Sequence, residues 1–397
     1  MKILYHHRTQ SKDGQAVHIE ELIHALREEG CEVIVVEPQA HRDAKFGGTS
    51  RWIDALKRVL PKALYEALEL VYSVLAYRKL LAAVRHHRPD ALYERSNLFL
   101  LAGAWLRRRT GLPYLLEVNA PLYEERRRHG GLAMERVARW TEQHAWRCAD
   151  AVLPVSRALA DIIAGAGVRG ERLHVIPNGI NTGRFAELPA RDAAKASLGL
   201  SGKLVLGFAG FVRPWHGLDA VVDLLAGRDG AGRHLLVVGD GPARGEIESR
   251  ARALGVADRV TVTGVVERDR VPGVLAAFDI ALQPAATPYA SPLKLFEYMA
   301  CGCAIVAPAQ ANLRELLDDG DNALLFPPGD LPAMARAIDR LACDPALRGR
   351  LAAAARATLG ERRLTWKENA RRVMAIAAGL RAVQANGAVQ TEAAPMP

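Results

Sequence analysis

Residues 204–241, LVLGFAGFVRPWHGLDAVVDLLAGRDGAGRHLLVVGDG, carry the pattern from which the rest of the chain can be read. An apolar run from Leu204 ends in Gly210, a stretch from Leu218 repeats apolar residues at helical spacing, and a second run from His234 ends in Gly239-Asp240-Gly241. Strands buried on both faces are written as unbroken rather than alternating apolar runs. Strand, helix and strand in succession mark parallel pairing through a crossover. Toward the carboxyl end the alternation continues as a helix from Ala243, VTVTG, a helix from Val271, DIALQP, a helix from Leu293, and AIVAP. On the amino-terminal side stand KILYH, a helix from about Val17 to Glu29, CEVIVVE, helices to about His87, DALYE, a further helix and PYLLEV, with AVLPVS and LHVIP closing the series. This predicts an α/β protein of two units, each a doubly wound parallel sheet. The joint falls near residues 180–200, where polar and Ala-rich residues carry no strand signal. No period of roughly 20–50 residues repeats, which excludes a solenoid.

With 397 residues, 50% of them hydrophobic and 24% charged, the chain exceeds one ordinary core. The tail after about Ala382, VQANGAVQTEAAPMP, has few large apolar residues and is expected to be unstructured. Five cysteines without CxxC spacing read as small apolar residues in a reducing compartment. The start, MKILYHHRTQ, lacks the apolar core of a signal peptide, and no stretch approaches the roughly 20 apolar residues that span a bilayer, so a cytoplasmic protein is expected. Net charge is +9, and residues 1–182 hold 27 Lys+Arg against 21 Asp+Glu. Between Arg51 and Arg88 eight basic and three acidic residues surround Trp52, Leu56, Val59, Leu64, Leu68, Val71 and Leu75 at near-helical spacing. Arg107-Arg108-Arg109 and Arg126-Arg127-Arg128 follow. Either this surface docks on anionic headgroups or a phosphorylated acceptor, as in peripheral membrane contact, or it is a core helix with a solvated basic face. No motif for nucleic acid accompanies the charge.

Ligands of open α/β sheets bind beyond the carboxyl ends of the strands. Glycines that follow strands, Gly14, Gly210, Gly239 and Gly241, are therefore candidates to let the backbone approach a phosphate. Gly239-Asp240-Gly241-Pro-Ala-Arg-Gly245 imitates a dinucleotide fingerprint, but it follows the second strand of its unit and has one residue too many before the last glycine. The segment Ser291-Pro292-Leu293-Lys294-Leu295-Phe296-Glu297-Tyr298-Met299-Ala300-Cys301-Gly302 says most about chemistry. Ser291 is expected to cap a helix that Pro292 begins. The free amides of Leu293 and Lys294, with the Lys294 ammonium, then suit a diphosphate, and Glu297 one turn on can accept two ribose hydroxyls.

This segment resembles the donor site of the retaining family 4 glycosyltransferases, which have the GT-B fold. The likeness extends in order through Asp13-Gly14-Gln15 with His18, Glu117-Val118-Asn119-Ala120-Pro121, Val155-Ser156, Pro177-Asn178-Gly179-Ile180-Asn181 and Gly239-Asp240-Gly241-Pro242. It implies two Rossmann-like domains facing across a cleft. An acceptor-binding domain would cover residues 1–182 and a nucleotide-sugar domain 183–365, with a crossover helix at 366–382 and a disordered tail at 383–397. It implies a UDP-, GDP- or ADP-sugar donor and a sugar or lipid-linked acceptor, in surface-polysaccharide or glycolipid assembly. Glu297 would hold the ribose, while Arg213, helped by Lys294, would neutralise the leaving diphosphate. Gly14 would face the phosphate from the other domain, Asn119 would contact the sugar, and His18, Glu117 and Arg95 would face the acceptor. The resemblance implies transfer with retention, the leaving phosphate taking the acceptor proton so that no protein base is expected, and with Arg213, Lys294 and helix amides on the diphosphate no metal cofactor is expected.

The chain departs from the family at four places, one of them Asn119 where many members have His. Tyr289 stands where the family has a second Glu, Phe211 where it has an Arg, and His216 where it has a Lys. His216 either donates to phosphate when protonated or packs in the turn with Trp215. Asp319-Gly320-Asp321 imitates a metal-binding DxD but is expected to be a turn, and Asp13 and Asp240 are read as loop and cap residues. A nucleotide-sugar epimerase and a non-catalytic nucleotide-sugar-binding protein are the alternatives on the same architecture.

Overall fold

Each apolar run named above forms a strand in the computed structural model except LHVIP, which joins β5 through one bridge from Leu173 to Val152. His174 and Ile176 donate to the carbonyls of Val152 and Pro154. Pro154 has no N–H to return, so a full ladder cannot form there. The structure describes residues 1–9, 14–38, 60–227 and 230–392. Asp13, Trp52, Leu56 and Val59 lie outside them.

Two units result, one of Met1–Pro177 with Lys367–Pro397 and one of Asn178–Trp366. The first holds β1 (Lys2–His6), β2 (Glu32–Val36), β3 (Ala91–Arg95), β4 (Tyr114–Val118) and β5 (Ala151–Pro154). The second holds β6 (Leu204–Ala209), β7 (Arg233–Val238), β8 (Val260–Val262), β9 (Ile280–Leu282), β10 (Ala304–Pro308) and β11 (Leu324–Phe326). The helices of the first unit are α1 (Gly14–Glu28), α2 (Lys62–His87), α3 (Ala102–Thr110), α4 (Leu122–His129), α5 (Glu135–Cys148) and α6 (Arg157–Gly165). Those of the second are α7 (Arg191–Ser197), α8 (Leu218–Ala226), α9 (Arg244–Ala253), α10 (Val271–Leu275), α11 (Leu293–Ala300), α12 (Leu331–Cys343) and α13 (Pro345–Glu361). The last helix, α14, runs Trp366–Glu392.

All named strand pairs are parallel, in the orders β2-β1-β3-β4-β5 and β11-β10-β9-β6-β7-β8. The order reverses between β1 and β3 in the first sheet and between β6 and β9 in the second. Side chains beyond those strand ends meet in a crevice, because neighbouring crossovers leave toward opposite faces. Apolar strand residues sit between helices on either side: Val205, Leu236 and Ala281 face Leu295, Phe296 and Met299, while Leu206, Leu235 and Ile280 face Leu218, Val221 and Ile247.

Three expectations change. The chain continues as helix to Glu392, ten residues past the expected end, through a stretch in which no proline interrupts the backbone hydrogen bonds. Residues 178–182 belong with the second unit: Ile180 exchanges backbone hydrogen bonds with Leu364 and Trp366. Leu64, Leu68, Val71 and Leu75 are exposed, so α2 does not turn this stripe to the core. From Lys367 the chain pairs with the first unit through Asn369 Nδ2 to the Pro177 carbonyl at 2.7 Å, Arg371 to Glu29 at 2.8 Å and Arg381 to Asp90 at 2.5 Å.

Candidate functional site

The switch point of the second sheet lies between the ends of β6 and β9, and two loops leave it. The loop after β6 runs Gly210-Phe211-Val212-Arg213-Pro214-Trp215-His216-Gly217, and that after β9 leads into α11. Gly210 has φ +121°, and a Cβ there would lie 3.4 Å from Lys294 Cε and 3.5 Å from its Nζ. The positive φ, rather than crowding, calls for glycine here, since a Cβ would stand at ordinary contact distance from the lysine. Lys294 Nζ rests 3.7 Å from the centre of the Phe208 ring, a cation–π contact that holds the ammonium in a partly apolar place. Burial pushes its pKa down to about 7, against the pull of the Glu297 carboxylate. Burial likewise raises the Glu297 carboxyl, opposed by Lys294 and Arg268.

The Arg213 guanidinium stands 5.0 Å from the Phe211 ring centre. Among the described residues no carboxylate lies within ion-pair distance of Arg213 or Lys294. Both cations act on His216: burial first, then Lys294 and Arg213, hold its ring down at about 2. That ring is therefore neutral at physiological pH. Its Nδ1 accepts the Arg213 N–H at 3.1 Å, so the proton sits on Nε2, and the ring packs 4.1 Å from Trp215 and 4.9 Å from Phe208. Packing in the turn is the reading the geometry favours; burial and the two cations disfavour the imidazolium, while a neutral Nε2–H remains a donor.

The helix start differs in detail from expectation. Pro292, not Ser291, occupies the N-cap, with Leu293 as first helical residue and no side-chain cap. Ser291 is taken up elsewhere: its Oγ accepts the Asn178 N–H at 3.1 Å and its carbonyl accepts Asn178 Nδ2 at 2.5 Å. A cap would have filled the amides of Leu293 and Lys294, and without one both point from the helix end with no acceptor among the described residues. Such an end binds anions through its N–H groups and dipole.

Gly239 and Gly241 have a packing role of their own. A Cβ on Gly239 would fall 2.1 Å from the Gly210 carbonyl, and one on Gly241 would fall 2.2 Å from that of Val212. The loops after β6 and β7 are laced by Gly210 N–H to Val238 and Val212 N–H to Asp240, each 2.9 Å. These glycines admit the neighbouring strand-end loop. Asp240 Oδ1 accepts the Gly241 N–H at 2.8 Å, and Asp319 Oδ1 accepts that of Leu325 at 2.8 Å in a turn around Gly320.

Sequence reasoning missed the residues that hold this loop. Gln283, Gln310 and Asn312 all donate from their amide nitrogens to loop carbonyls: Ala285 from Gln283, Ala286 from Gln310 at 3.0 Å, and Thr287 and Ala290 from Asn312 at 3.0 and 2.7 Å. Tyr289 is buried in the same loop. Phe208 was missed too, and Asn178 was named only within a motif, without its contact to Ser291. A lone amide or phenylalanine carries no motif, so only proximity reveals these roles.

In the first unit His18, Arg95, Glu117 and Asn119 come together. Glu117 is 2% exposed at the end of β4. One of its oxygens accepts from Arg95 and from the Asn119 amide; the other accepts from Tyr93 Oη at 2.7 Å and lies 3.1 Å from His18 Nε2. Burial alone would raise this carboxyl, but His18, Arg95 and the Tyr93 hydrogen bond hold it far below the usual carboxylate range. Both oxygens of Glu117 are thus engaged within the first unit, one of them by the Asn119 amide. Asn119, half-buried, keeps its carbonyl oxygen free of partners among the described residues. Gly14 opens α1.

Comparison with known proteins bears on the family and the fold. The profile described as Glycosyl transferases group 1 fits residues 203–344, and that described as Glycosyltransferase Family 4 fits residues 12–184. The alpha-D-kanosaminyltransferase of Streptomyces kanamyceticus is 29% identical over 252 residues, 61% of this chain and 64% of that protein. A D-inositol 3-phosphate glycosyltransferase of Xylanimonas cellulosilytica is 34% identical over 58% of this chain and 57% of its own length. The matches thus span under two thirds of these curated relatives. Among solved structures, Anabaena HepE in complex with UDP superposes with a TM-score of 0.74 at 21% identity, covering 96% of this chain and all of the other. WaaG, a glycosyltransferase involved in lipopolysaccharide biosynthesis, has a TM-score of 0.69 at 16% identity, over 96% of this chain and all of WaaG. With both profiles matched in order and both sheets of the expected topology, the chain belongs to the group 1, family 4 glycosyltransferases and has their α/β GT-B fold.

Proposed function

We propose that this chain transfers a sugar from a nucleoside-diphosphate sugar to an acceptor hydroxyl, with retention at the anomeric carbon. The observation that carries this is the convergence of two cations without a carboxylate partner, Arg213 and Lys294, with the uncapped start of α11 at the switch point of the second sheet. Lys294, partly buried beside free amides, is costly to keep charged unless an anion completes it, and the exposed Arg213 adds a second cation at the same loop. Glu297, one turn along α11, then takes the ribose hydroxyls. A donor with UDP has support from HepE, which was solved with UDP and with UDP-glucose.

In the proposed step the bond between the anomeric carbon and the diphosphate oxygen breaks while the acceptor oxygen bonds to the same face of that carbon. The acceptor proton passes to the departing phosphate oxygen. Arg213, Lys294 and the Leu293 and Lys294 amides stabilise charge as it grows there, so the preorganised field of the site does the catalysis. His216 adds a neutral Nε2–H donor, and Asn119 offers a sugar hydroxyl its carbonyl oxygen. Charge neutralisation is assigned to side chains, so EDTA is expected to leave turnover unchanged.

Thermal melts with UDP, GDP, ADP and NAD, with EDTA present, test this reading, since a ligand at about 100 times its Kd adds about 2.7 kcal/mol. Stabilisation by one nucleoside diphosphate that Glu297→Ala abolishes is the expected result. Stabilisation by NAD alone, or by no nucleotide, would overturn it. Sugar analysis of the product by NMR decides between retention and inversion.

A further inference from the structure

The geometry points to a lipid-docking face on α2, apart from the nucleotide site. On a soluble helix the apolar stripe faces inward and charges face out. Here the arrangement is reversed. Leu64, Leu68, Val71, Val74 and Leu75 are 49, 44, 57, 47 and 54% exposed. Positions 64, 68, 71 and 75 fall on one face, three turns long. The inward face carries the only acids of the helix. Glu66 is fully buried, accepting the N–H groups of Ala133 at 3.0 Å and Met134 at 2.7 Å, and Glu69 pairs with Arg8 and Arg126. Both carboxylates are neutralised by the interior.

What α2 shows to solvent is therefore apolar and basic, without an acid. The leucine and valine stripe runs into exposed Arg78, Lys79 and Arg85. The neighbouring helix extends the charge. Ser73 Oγ accepts the Leu101 N–H at 3.1 Å and the Tyr77 ring meets that of Trp105, so α3 runs alongside α2 in the same direction. Its end brings exposed Arg108 and Arg109 level with the basic turns.

This pairing of surfaces selects one occupant. A second copy docked through the stripe would bury the leucines but set like charges against it, with no acid on this face to answer them. A bilayer with anionic headgroups answers both features: the apolar side chains enter the acyl boundary while the Arg and Lys side chains reach phosphate. No helix among the described residues is long and apolar enough to cross a membrane, so the helix lies on the surface.

The test is co-sedimentation of the full chain with vesicles of phosphatidylcholine alone and of equal parts phosphatidylcholine and phosphatidylglycerol, at low and high salt. Binding is expected only to the anionic vesicles, weakening with salt. Combined Leu68→Ser, Val71→Ser and Leu75→Ser should lower it roughly tenfold, as should Arg78→Glu with Lys79→Glu. These residues are exposed, so both variants should keep the melting temperature and the nucleotide-induced shift of the parent, which separates this proposal from the donor-site reading. Absence of binding to anionic vesicles would overturn it. So would binding that both variants leave unchanged, or a dimer without vesicles that the serine variant splits, which would make the stripe a self-interface.

Discussion

Nucleotide binding should take up a proton at Lys294. In the free protein burial holds this ammonium at about 7, where an ordinary lysine titrates near 10.4. A diphosphate beside Nζ favours the charged form and restores the higher value. The difference is about three pKa units at about 1.4 kcal/mol each, so coupling between nucleotide and proton reaches an upper bound on the order of 4 kcal/mol. The sign follows: the ligand binds the ammonium form, so affinity is greatest below pH 7 and falls by up to about tenfold per pH unit above it. The nucleotide's own phosphate ionises near 6, which leaves pH of about 7.5 to 9.5 as a window for the lysine alone. Apo stability moves the other way, rising across that window, because the unfolded lysine binds more protons than the folded one. Calorimetry at about pH 8.5, in buffers of different ionisation enthalpy, should find close to one proton taken up per nucleotide. In Lys294→Arg the charge is permanent, so uptake should vanish while affinity becomes flat with pH. No uptake by the parent protein, or uptake that survives Lys294→Arg, would refute the assignment.

Glu297→Ala, by removing two charge-assisted hydrogen bonds to ribose, should weaken nucleotide binding by roughly 2–3 kcal/mol in titration calorimetry, with little change in the apo melt. Gly239→Ala should cost about 2–4 kcal/mol in a denaturant titration, since its Cβ would meet the Gly210 carbonyl at 2.1 Å with φ at +140°. Glu117→Ala leaves buried His18 and Arg95 without their carboxylate and should cost about 3–5 kcal/mol by the same measurement, whereas Asn119→Ala should cut turnover far more than stability. Because the Glu117 carboxyl is held low, its contribution is present above the ordinary glutamate range and is lost only as pH falls toward strong acid, so a melt series from neutral to acid should lose this difference between parent and Glu117→Gln at the acid end.

Much of this protein was legible before folding because its signals are local. Unbroken apolar runs such as Leu204–Ala209 can only be strands covered on both faces, and their alternation with helical spacing leaves parallel sheets as the answer. The block from Ser291 to Gly302 likewise placed a cation and a carboxylate one turn apart on a helix, whatever the rest of the chain did. Contacts between residues distant in sequence were decided by the tertiary structure alone. It withdrew Ser291 from the helix cap by offering it Asn178, and it set Gly239 against a neighbouring loop. It surrounded Glu117 with four donors, and it turned Glu66 and Glu69 inward and the leucines of α2 outward. Periodicity gives the faces of a helix but not which face meets the core. That choice belongs to the packing of all elements together, as does the depressed lysine, whose titration depends on which groups end up around it.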